Sequence, residues 1–337
     1  MDPGIPVPPK GYGGIERIVA ILAQTYLELG HDVDLLASEG SYVKGCNFYP
    51  IGKIGFPPKK YVVYKSILTA WVYVISNRKK YDLIQNFGRL LYLFPVFFSG
   101  VNKLMCYQRE ISRFNIKILN LLPTRNLSFT GCSKDLILRA NVPGSWFPIH
   151  NAVDFSLFRL NSIINQSAPL IFLGRLEKIK GCHIAIKAAL ATGNDLIIAG
   201  NISTIPDEIE YFKNEIEPFI DNNKVKFVGE VDDFNKISLL QSSKALLMPI
   251  EWHEPFGIVM IEAMACGTPV IAFNYGSVDE VIDEGITGFK VLRYDDMIKK
   301  ISDIDLISRE TCSLNASNRF SIKKISLEYL SIHFKTH

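Results

Sequence analysis

The chemistry-bearing residues of this chain fall into three short stretches. The first is Glu254-Pro-Phe-Gly-Ile-Val-Met-Ile-Glu262, two carboxylates eight positions apart with a glycine between them. Along a helix that spacing is about 12 Å, at roughly 1.5 Å per residue. One carboxylate can therefore touch one end of a ligand while the second reaches the other end. Gly257 is expected in the first turn of this helix, where backbone N–H groups face a phosphate or sugar oxygen. Glu262 lies within Ile-Val-Met-Ile-Glu-Ala-Met-Ala-Cys, too apolar a run for a casual surface carboxylate.

The second stretch, Gly174-Arg-Leu-Glu-Lys-Ile-Lys-Gly181, follows an apolar run of strand length and precedes a helical pattern. Arg175 offers a planar fork and Lys180 a point charge, a pair suited to a diphosphate. Lys178 reads as solvated. The third stretch, Gly11-Tyr-Gly-Gly-Ile-Glu16, enters a helix whose positive end favours an anion. Glu16 stands where a dinucleotide fingerprint needs its third glycine, so that motif is excluded.

Other signals carry less. Asp32-Val-Asp34 fits a metal-binding D-x-D but alternates along an expected strand. Asp232-Asp233 reads as a helix start, His253 as a rim residue beside Glu254, and His31 and His183 as structural or surface residues. Cys266 ends a helix.

The elements that must position these residues are clearest after residue 153. Apolar runs at Leu170–Leu173, Leu196–Ala199, Val225–Val228, Ala245–Ile250 and Val270–Phe273 alternate with helical patterns, including Ile209–Ile220, Phe256–Ala265 and Val278–Ile282. Continuous apolar strands between helices predict a parallel, doubly wound sheet. The first half repeats the scheme, with a helix over Gly14–Leu29 ending at Gly30. Strands are expected at Val33–Ala37, Leu83–Gln85, Leu104–Tyr107, Leu127–Thr130 and Trp146–Ile149. The expected organisation is an α/β lobe over 1–152, a second over 153–318, and a C-terminal helix within 319–337 that packs back on the first. A doubly wound domain opens with a strand feeding its first glycine turn. Here only a Pro-rich lead precedes Gly11, so the first strand is absent or lies upstream.

With 337 residues, 48% apolar and 21% charged, the chain can fill two cores. Six scattered cysteines without a Cys-x-x-Cys pair argue for reduced thiols in a cytoplasm. The Pro-rich start does not read as a signal peptide. Neither Tyr61–Ser76 nor Leu90–Ser99 has the roughly 20 apolar residues of a membrane span. The net charge of +3 conceals an asymmetry: residues 1–150 hold 18 Lys+Arg and 9 Asp+Glu, the remainder 19 and 25. From Gly40 to Tyr81 there are eight basic residues and no acid, mixed with Tyr61, Tyr64, Trp71 and Tyr73. Such a stretch suits either the inner face of an anionic membrane or a solvated basic face beside a core helix.

Taken together, the three stretches resemble the retaining glycosyltransferases of family 4, with an E-x7-E motif and a GT-B fold of two facing Rossmann-like lobes. Ala-Cys-Gly-Thr-Pro-Val-Ile at 265–271 and Gly-Ile-Thr-Gly-Phe at 285–289 belong to the same likeness. The resemblance implies transfer of a hexosyl-type sugar from a nucleotide-sugar donor to an acceptor hydroxyl, in polysaccharide or glycolipid assembly. The acceptor is expected to be a glycan or lipid-linked, and neither a cofactor, a metal nor a nucleic acid is implied. It also implies that Arg175 and Lys180 hold the donor diphosphate and Glu254 the transferred sugar, these three being catalytic. Glu262 would bind the ribose and Gly229, Glu230 and Val231 line the base. Gly257 and Ile258 would face the donor, with Gly13 and Gly14 closing over the phosphates. Departure of the diphosphate then precedes same-face attack, and stabilising the leaving group is the main task. Many family members carry a histidine after a first-lobe strand; here Asn86, Gln108 and Arg109 are the candidates for its place. The rival readings are a sugar-nucleotide epimerase of similar fold and a degenerate, partner-binding subunit.

Overall fold

The computed structural model describes residues 1–9, 11 and 13–335. Tyr12 of the first glycine turn and residues 336–337 of the expected C-terminal segment lie outside them. The chain divides into two compact units, Met1–Ala152 with Ile322–His337, and Val153–Ser321.

The first unit runs α1 (Gly14–Glu28), β1 (Asp34–Ser38), β2 (Asn47–Gly52), α2 (Lys60–Asn77), β3 (Leu83–Asn86), β4 (Asn102–Tyr107), α3 (Arg113–Leu119), β5 (Leu127–Gly131), α4 (Lys134–Ala140) and β6 (Trp146–Pro148). The second runs β7 (Leu170–Leu173), α5 (Cys182–Ala191), β8 (Leu196–Ala199), α6 (Pro206–Glu215), β9 (Val225–Gly229), α7 (Asp233–Ser242), β10 (Leu246–Met248), α8 (Ile258–Ala265), β11 (Val270–Phe273), α9 (Val278–Val281), β12 (Gly288–Val291), α10 (Tyr294–Ser302) and α11 (Arg309–Phe320). The last helix, α12 (Ile322–Lys335), returns to the first unit and packs on α1.

In the second unit six strands pair in parallel in the order β12-β11-β10-β7-β8-β9. Their sequences are nearly all apolar because helices cover both faces; β11, for example, is buried throughout. Numbered from β7, the order is 3-2-1-4-5-6, so the winding direction reverses between β7 and β10. Ligands of open α/β sheets bind outside the carboxyl ends of the strands at such a reversal. The loops leaving β7 and β10 are those that carry Arg175, Lys180 and Glu254.

The first unit departs from a continuous sheet. It holds a four-stranded parallel sheet, β3-β4-β5-β6, and a separate parallel pair, β1-β2. Helix α1 forms as its apolar stripe requires, burying Ile18, Val19, Leu22 and Ala23. It ends where Gly30, at φ +88°, lets its own N–H reach Leu27 O and the N–H of His31 reach Tyr26 O.

Several expected boundaries shift for local reasons. Strand β2 goes unread in the sequence because Pro50 and its half-exposed residues break the alternation. The helix expected over Ile209–Ile220 begins earlier, with Pro206 at its start, and ends at Glu215; a 3-10 turn, Glu217–Phe219, holds Pro218, which cannot continue an α-helix. Asp32 precedes β1, whereas Asp34 opens it and accepts hydrogen bonds from Tyr73, Tyr81 and Asn47. Burial pushes the Asp34 carboxyl up, but these hydrogen bonds outweigh it and leave the group below the usual range. All six cysteines are free thiols.

Two glycines of the second unit share a left-handed backbone, Gly181 at φ +75° and Gly193 at φ +71°. A Cβ at Gly181 would lie 2.0 Å from Pro249 O, whereas one at Gly193 meets nothing within 4 Å. Gly193→Ala should therefore cost only the backbone strain, about 1 kcal/mol. Gly181→Ala should cost clearly more in urea unfolding, because two loops must separate. Equal losses would mean that the 174–181 and 249–254 loops are not in fixed contact.

Candidate active site

The site is assembled by loop contacts at the reversal point. After β7 the chain passes Gly174 and Arg175, makes a 3-10 turn over Lys178–Lys180, and enters α5 through Gly181. After β10 it runs from Pro249 to Gly257 before α8 begins. The N–H of Glu251 donates to Ile179 O at 2.8 Å, and Gly181 lies against the Pro249 carbonyl. These contacts bring Lys180 and Glu254, 74 positions apart, into an ion pair. The same Glu254 oxygen accepts from Trp252 Nε1 at 2.9 Å, and the Lys180 ammonium lies 4.7 Å over the Trp252 ring.

A third loop fixes the backbone of Glu254. Gly276, at φ +63°, packs so closely that a Cβ would sit 2.4 Å from Glu254 O and 2.5 Å from its nitrogen. The N–H of Ser277 donates to Glu254 O at 3.1 Å and its hydroxyl to Phe256 O at 2.7 Å. His253 borders this group, its ring edge-on to Tyr275 at 6.0 Å.

The helix carrying the second carboxylate starts later than its sequence suggests. Gly257 is not in the first turn but caps the helix in a left-handed conformation at φ +74°, and Ile258 is the first helical residue. Glu262 is thus about one turn inside α8. Its carboxylate is 6% exposed and meets Lys236 Nζ at 2.6 Å; Lys236 also reaches Asp233 at 3.1 Å and lies 5.1 Å over the Phe158 ring.

Arg175 pairs through Nη1 with Glu177 Oε1 at 2.5 Å, and Glu177 is the more buried partner. The strand ends of β7, β8 and β9 meet through glycine: the N–H of Gly174 donates to Ala199 O at 3.0 Å and that of Gly200 to Gly229 O at 2.8 Å. Glu230 is exposed and Val231 half-buried beyond Gly229, before Asp232 caps α7 by accepting from Asn235 N at 2.8 Å. The second unit thus joins Lys180 to Glu254 directly, while Arg175 and Glu262 hold separate partners. Trp252, Lys236 and Glu177 escape sequence reasoning: Trp252 looks like core, Lys236 like an exposed helix lysine, and Glu177 like a loop charge.

In the first unit Gly13 caps α1 at φ +150°, where a Cβ would sit 2.7 Å from Pro9 Cβ, and Gly14 begins the helix. Burial raises the Glu16 carboxyl above its usual range. Asp2 pairs with Arg89 at 2.6 Å and Arg109 at 3.3 Å. Asn86 accepts from Gly88 N and donates to Arg89 O, both at 2.9 Å, and is spent on structure. Gln108 Nε2 is buried without a hydrogen-bond partner among the described residues. No group of three or more His, Cys, Asp or Glu side chains among the described residues is placed to hold a metal ion.

Residues 158–318 match the family model described as glycosyl transferases group 1. The glycogen synthase of Mycobacterium tuberculosis is 33% identical over 147 residues, which cover 42% of this chain and 34% of that protein. The chain spans about half or less of the length of the curated relatives it matches. Among solved structures, HepE of Anabaena in complex with UDP superposes with a TM-score of 0.75 at 19% identity, covering 98% of this chain and 97% of that one. Sucrose-phosphate synthase of Thermosynechococcus elongatus gives a TM-score of 0.76 at 18% identity, with 100% and 96% covered. The fold is GT-B, with parallel sheets in two Rossmann-like units.

The Lys236–Glu262 pair makes a prediction that needs no ligand. Lys236→Met should destabilise the protein by about 3 kcal/mol, because it leaves a buried carboxylate without its counter-charge. Adding Glu262→Leu should recover most of that loss in urea unfolding. A single variant as stable as the parent would show that Glu262 is solvated.

Proposed function

We propose that the chain is a retaining glycosyltransferase that moves a hexosyl-type sugar from a nucleotide-sugar to an acceptor hydroxyl without a metal ion. The observation that carries this reading is the Lys180–Glu254–Trp252 cluster at the β7/β10 reversal. Support comes also from the group 1 match over the second unit and from a structural neighbour solved with UDP and with UDP-glucose.

The geometry suits departure of a diphosphate. Lys180 has three ammonium donors and gives one to Glu254, so two can serve phosphate oxygens. Arg175, 39% exposed at its side chain, can turn its fork to the same group while Glu177 holds its other edge. Cations fixed in advance stabilise the charge that develops on the leaving group, which a strong general base would not. In this reading Glu254, held by Lys180 and Trp252, presents its second oxygen to sugar hydroxyls. Glu262 takes the ribose, Gly229, Glu230 and Val231 the base, and Gly257 with Ile258 the donor's sugar side. Gly13 and Gly14 at the head of α1 contribute backbone N–H groups to an anion.

Glu254→Ala should lower kcat by about 10²-fold or more while nucleoside diphosphate affinity changes little. Arg175→Ala and Lys180→Ala should each weaken that affinity by roughly 1.5–3 kcal/mol. Activity should persist in EDTA. Normal transfer by Glu254→Ala, or unchanged diphosphate affinity in both cation variants by calorimetry, would remove the donor site from these loops. A full loss in chelator, reversed by Mg²⁺ or Mn²⁺, would overturn the metal-free mechanism.

In this reading the acceptor is a lipid-linked or envelope glycan at a membrane surface, with the protein on its cytoplasmic side. No helix among the described residues is long and apolar enough to cross a membrane. Helix α2, however, exposes Tyr61, Tyr64, Leu68, Val72 and Ile75 along about 21 Å of one side, flanked by the exposed Lys59, Lys60, Lys65, Arg78, Lys79 and Lys80. Trp71 and Tyr73 do not belong to this stripe: Trp71 donates to Leu91 O and stacks on Phe94, and Tyr73 is bonded to Asp34. Basic residues near an anionic leaflet contribute about 1 kcal/mol each. The protein should co-sediment with phosphatidylglycerol vesicles and not with phosphatidylcholine vesicles. Binding should fall in high salt and on charge reversal at Lys59, Lys60, Lys79 and Lys80. No binding to either vesicle would leave α2 facing something other than lipid.

A further inference from the structure

Gly181 creates a local problem that a different helix solves. It is the N-cap of α5, and the close approach of the Pro249 carbonyl leaves it no room for a side chain. A glycine cap offers no side-chain acceptor to the open N–H groups of the first helical turn. The N–H of His183, the second residue of α5, instead donates to the Tyr211 hydroxyl of α6 at 3.2 Å. That hydroxyl also lies 2.9 Å from His183 Nδ1, and the two rings meet edge-on with centroids 5.5 Å apart. Burial holds the His183 imidazole below its usual range, so the ring is neutral near pH 7 and Nδ1 can take the hydroxyl proton.

Three positions back on the same face of α6, Glu208 Oε2 accepts from the Lys178 N–H at 2.7 Å. The segment from Lys178 to His183 is therefore tied to α6 at both ends. On its other side the loop after β10 holds the middle, through the Glu251 N–H to Ile179 O at 2.8 Å and the contact of Gly181 with Pro249. Lys180 stands between these ties, with its ammonium paired to Glu254.

We propose that Glu208 and Tyr211 are positioning residues for Lys180: α6 holds the Lys178–His183 segment against the loop after β10 and so fixes where the ammonium stands for a donor diphosphate. This role presupposes the donor site proposed above, to which α6 contributes no other residue. Without the two ties the segment keeps its contacts with the second loop but can rock about them. Lys180 then loses its alignment before any ligand arrives.

Tyr211→Phe removes the hydroxyl and keeps the ring. Glu208→Ala removes the other tie from a half-buried side chain, and serves alone should the first variant fail to fold. In either variant, without ligand, the Glu251 amide should exchange at least about fivefold faster, while amides of β11 exchange as in the parent. Glu208→Gln keeps an acceptor oxygen and should exchange as the parent does. Calorimetry uses whichever of UDP, GDP and ADP the parent binds most tightly. Tyr211→Phe should weaken that affinity about three- to tenfold, with no further loss in a Lys180→Ala background. A Glu251 amide that exchanges at the parental rate in the folded variants overturns the proposal. So does a loss of affinity that is the same with and without Lys180. Parental affinity in Lys180→Ala alone would instead remove the donor reading, and the exchange measurement would still decide whether α6 holds the segment.

Discussion

The close approach of three loops, at the carboxyl ends of β7, β10 and β11, is the constraint on which the second unit's site depends. It requires positions without a side chain: Gly181 against Pro249 and Gly276 against Glu254 leave no room for a Cβ. Both are left-handed, so conformation and space select glycine together. With those contacts made, Lys180 and Glu254 need no long search to meet. Trp252 then fixes the carboxylate by a donated hydrogen bond while its ring receives the ammonium. The sheet supplies the position and the glycines the distance.

Burying charge beside this framework sets a second demand. Glu262 and Lys236 are both largely out of water, and a pair of this kind contributes little net stability once desolvation is counted. Arg309 solves the same problem differently. Its buried guanidinium donates to the carbonyls of Asn161, Ser243, Gln241 and Cys266 and to the Thr268 hydroxyl. Arg309 thereby ties α11 to the ends of α7 and α8, each of its three guanidinium nitrogens bonded to protein. The Glu262 pair involves one oxygen and one lysine, with the second oxygen left for other work. That difference separates a structural charge from one suited to a ligand.

The second sheet was legible in the sequence because its strands are short, continuous apolar runs bounded by glycine and polar turns. Leu170–Leu173, Leu196–Ala199 and Val270–Phe273 appear where their patterns put them. The start of α8 was not legible: apolar residues run through Phe256 without a break, and only the positive φ of Gly257 moves the boundary to Ile258. Ion-pair partners were invisible for another reason. Glu254 meets Lys180 and Glu262 meets Lys236 across 74 and 26 positions, through contacts that only the folded sheet creates. In the first unit α1 was legible from its apolar stripe. The division of the sheet into β1-β2 and β3-β6 was not, because each strand keeps its own apolar pattern whichever neighbour it has.

The charge asymmetry gains a physical meaning from these pairings. Residues 151–337 carry 19 basic and 25 acidic side chains, so the field of that half opposes an anionic ligand. Within the site, however, each cation already has a carboxylate: Arg175 has Glu177 and Lys180 has Glu254. Pre-pairing keeps the cations oriented at modest desolvation cost; on the proposed reading an arriving phosphate would share or exchange a partner instead of confronting bare charge. On that reading, selectivity would follow from the same arrangement. A ligand with phosphate alone would gain the cations but leave Glu254 without a second use. A ligand whose hydroxyls stand next to its phosphate satisfies both halves of the pair at once.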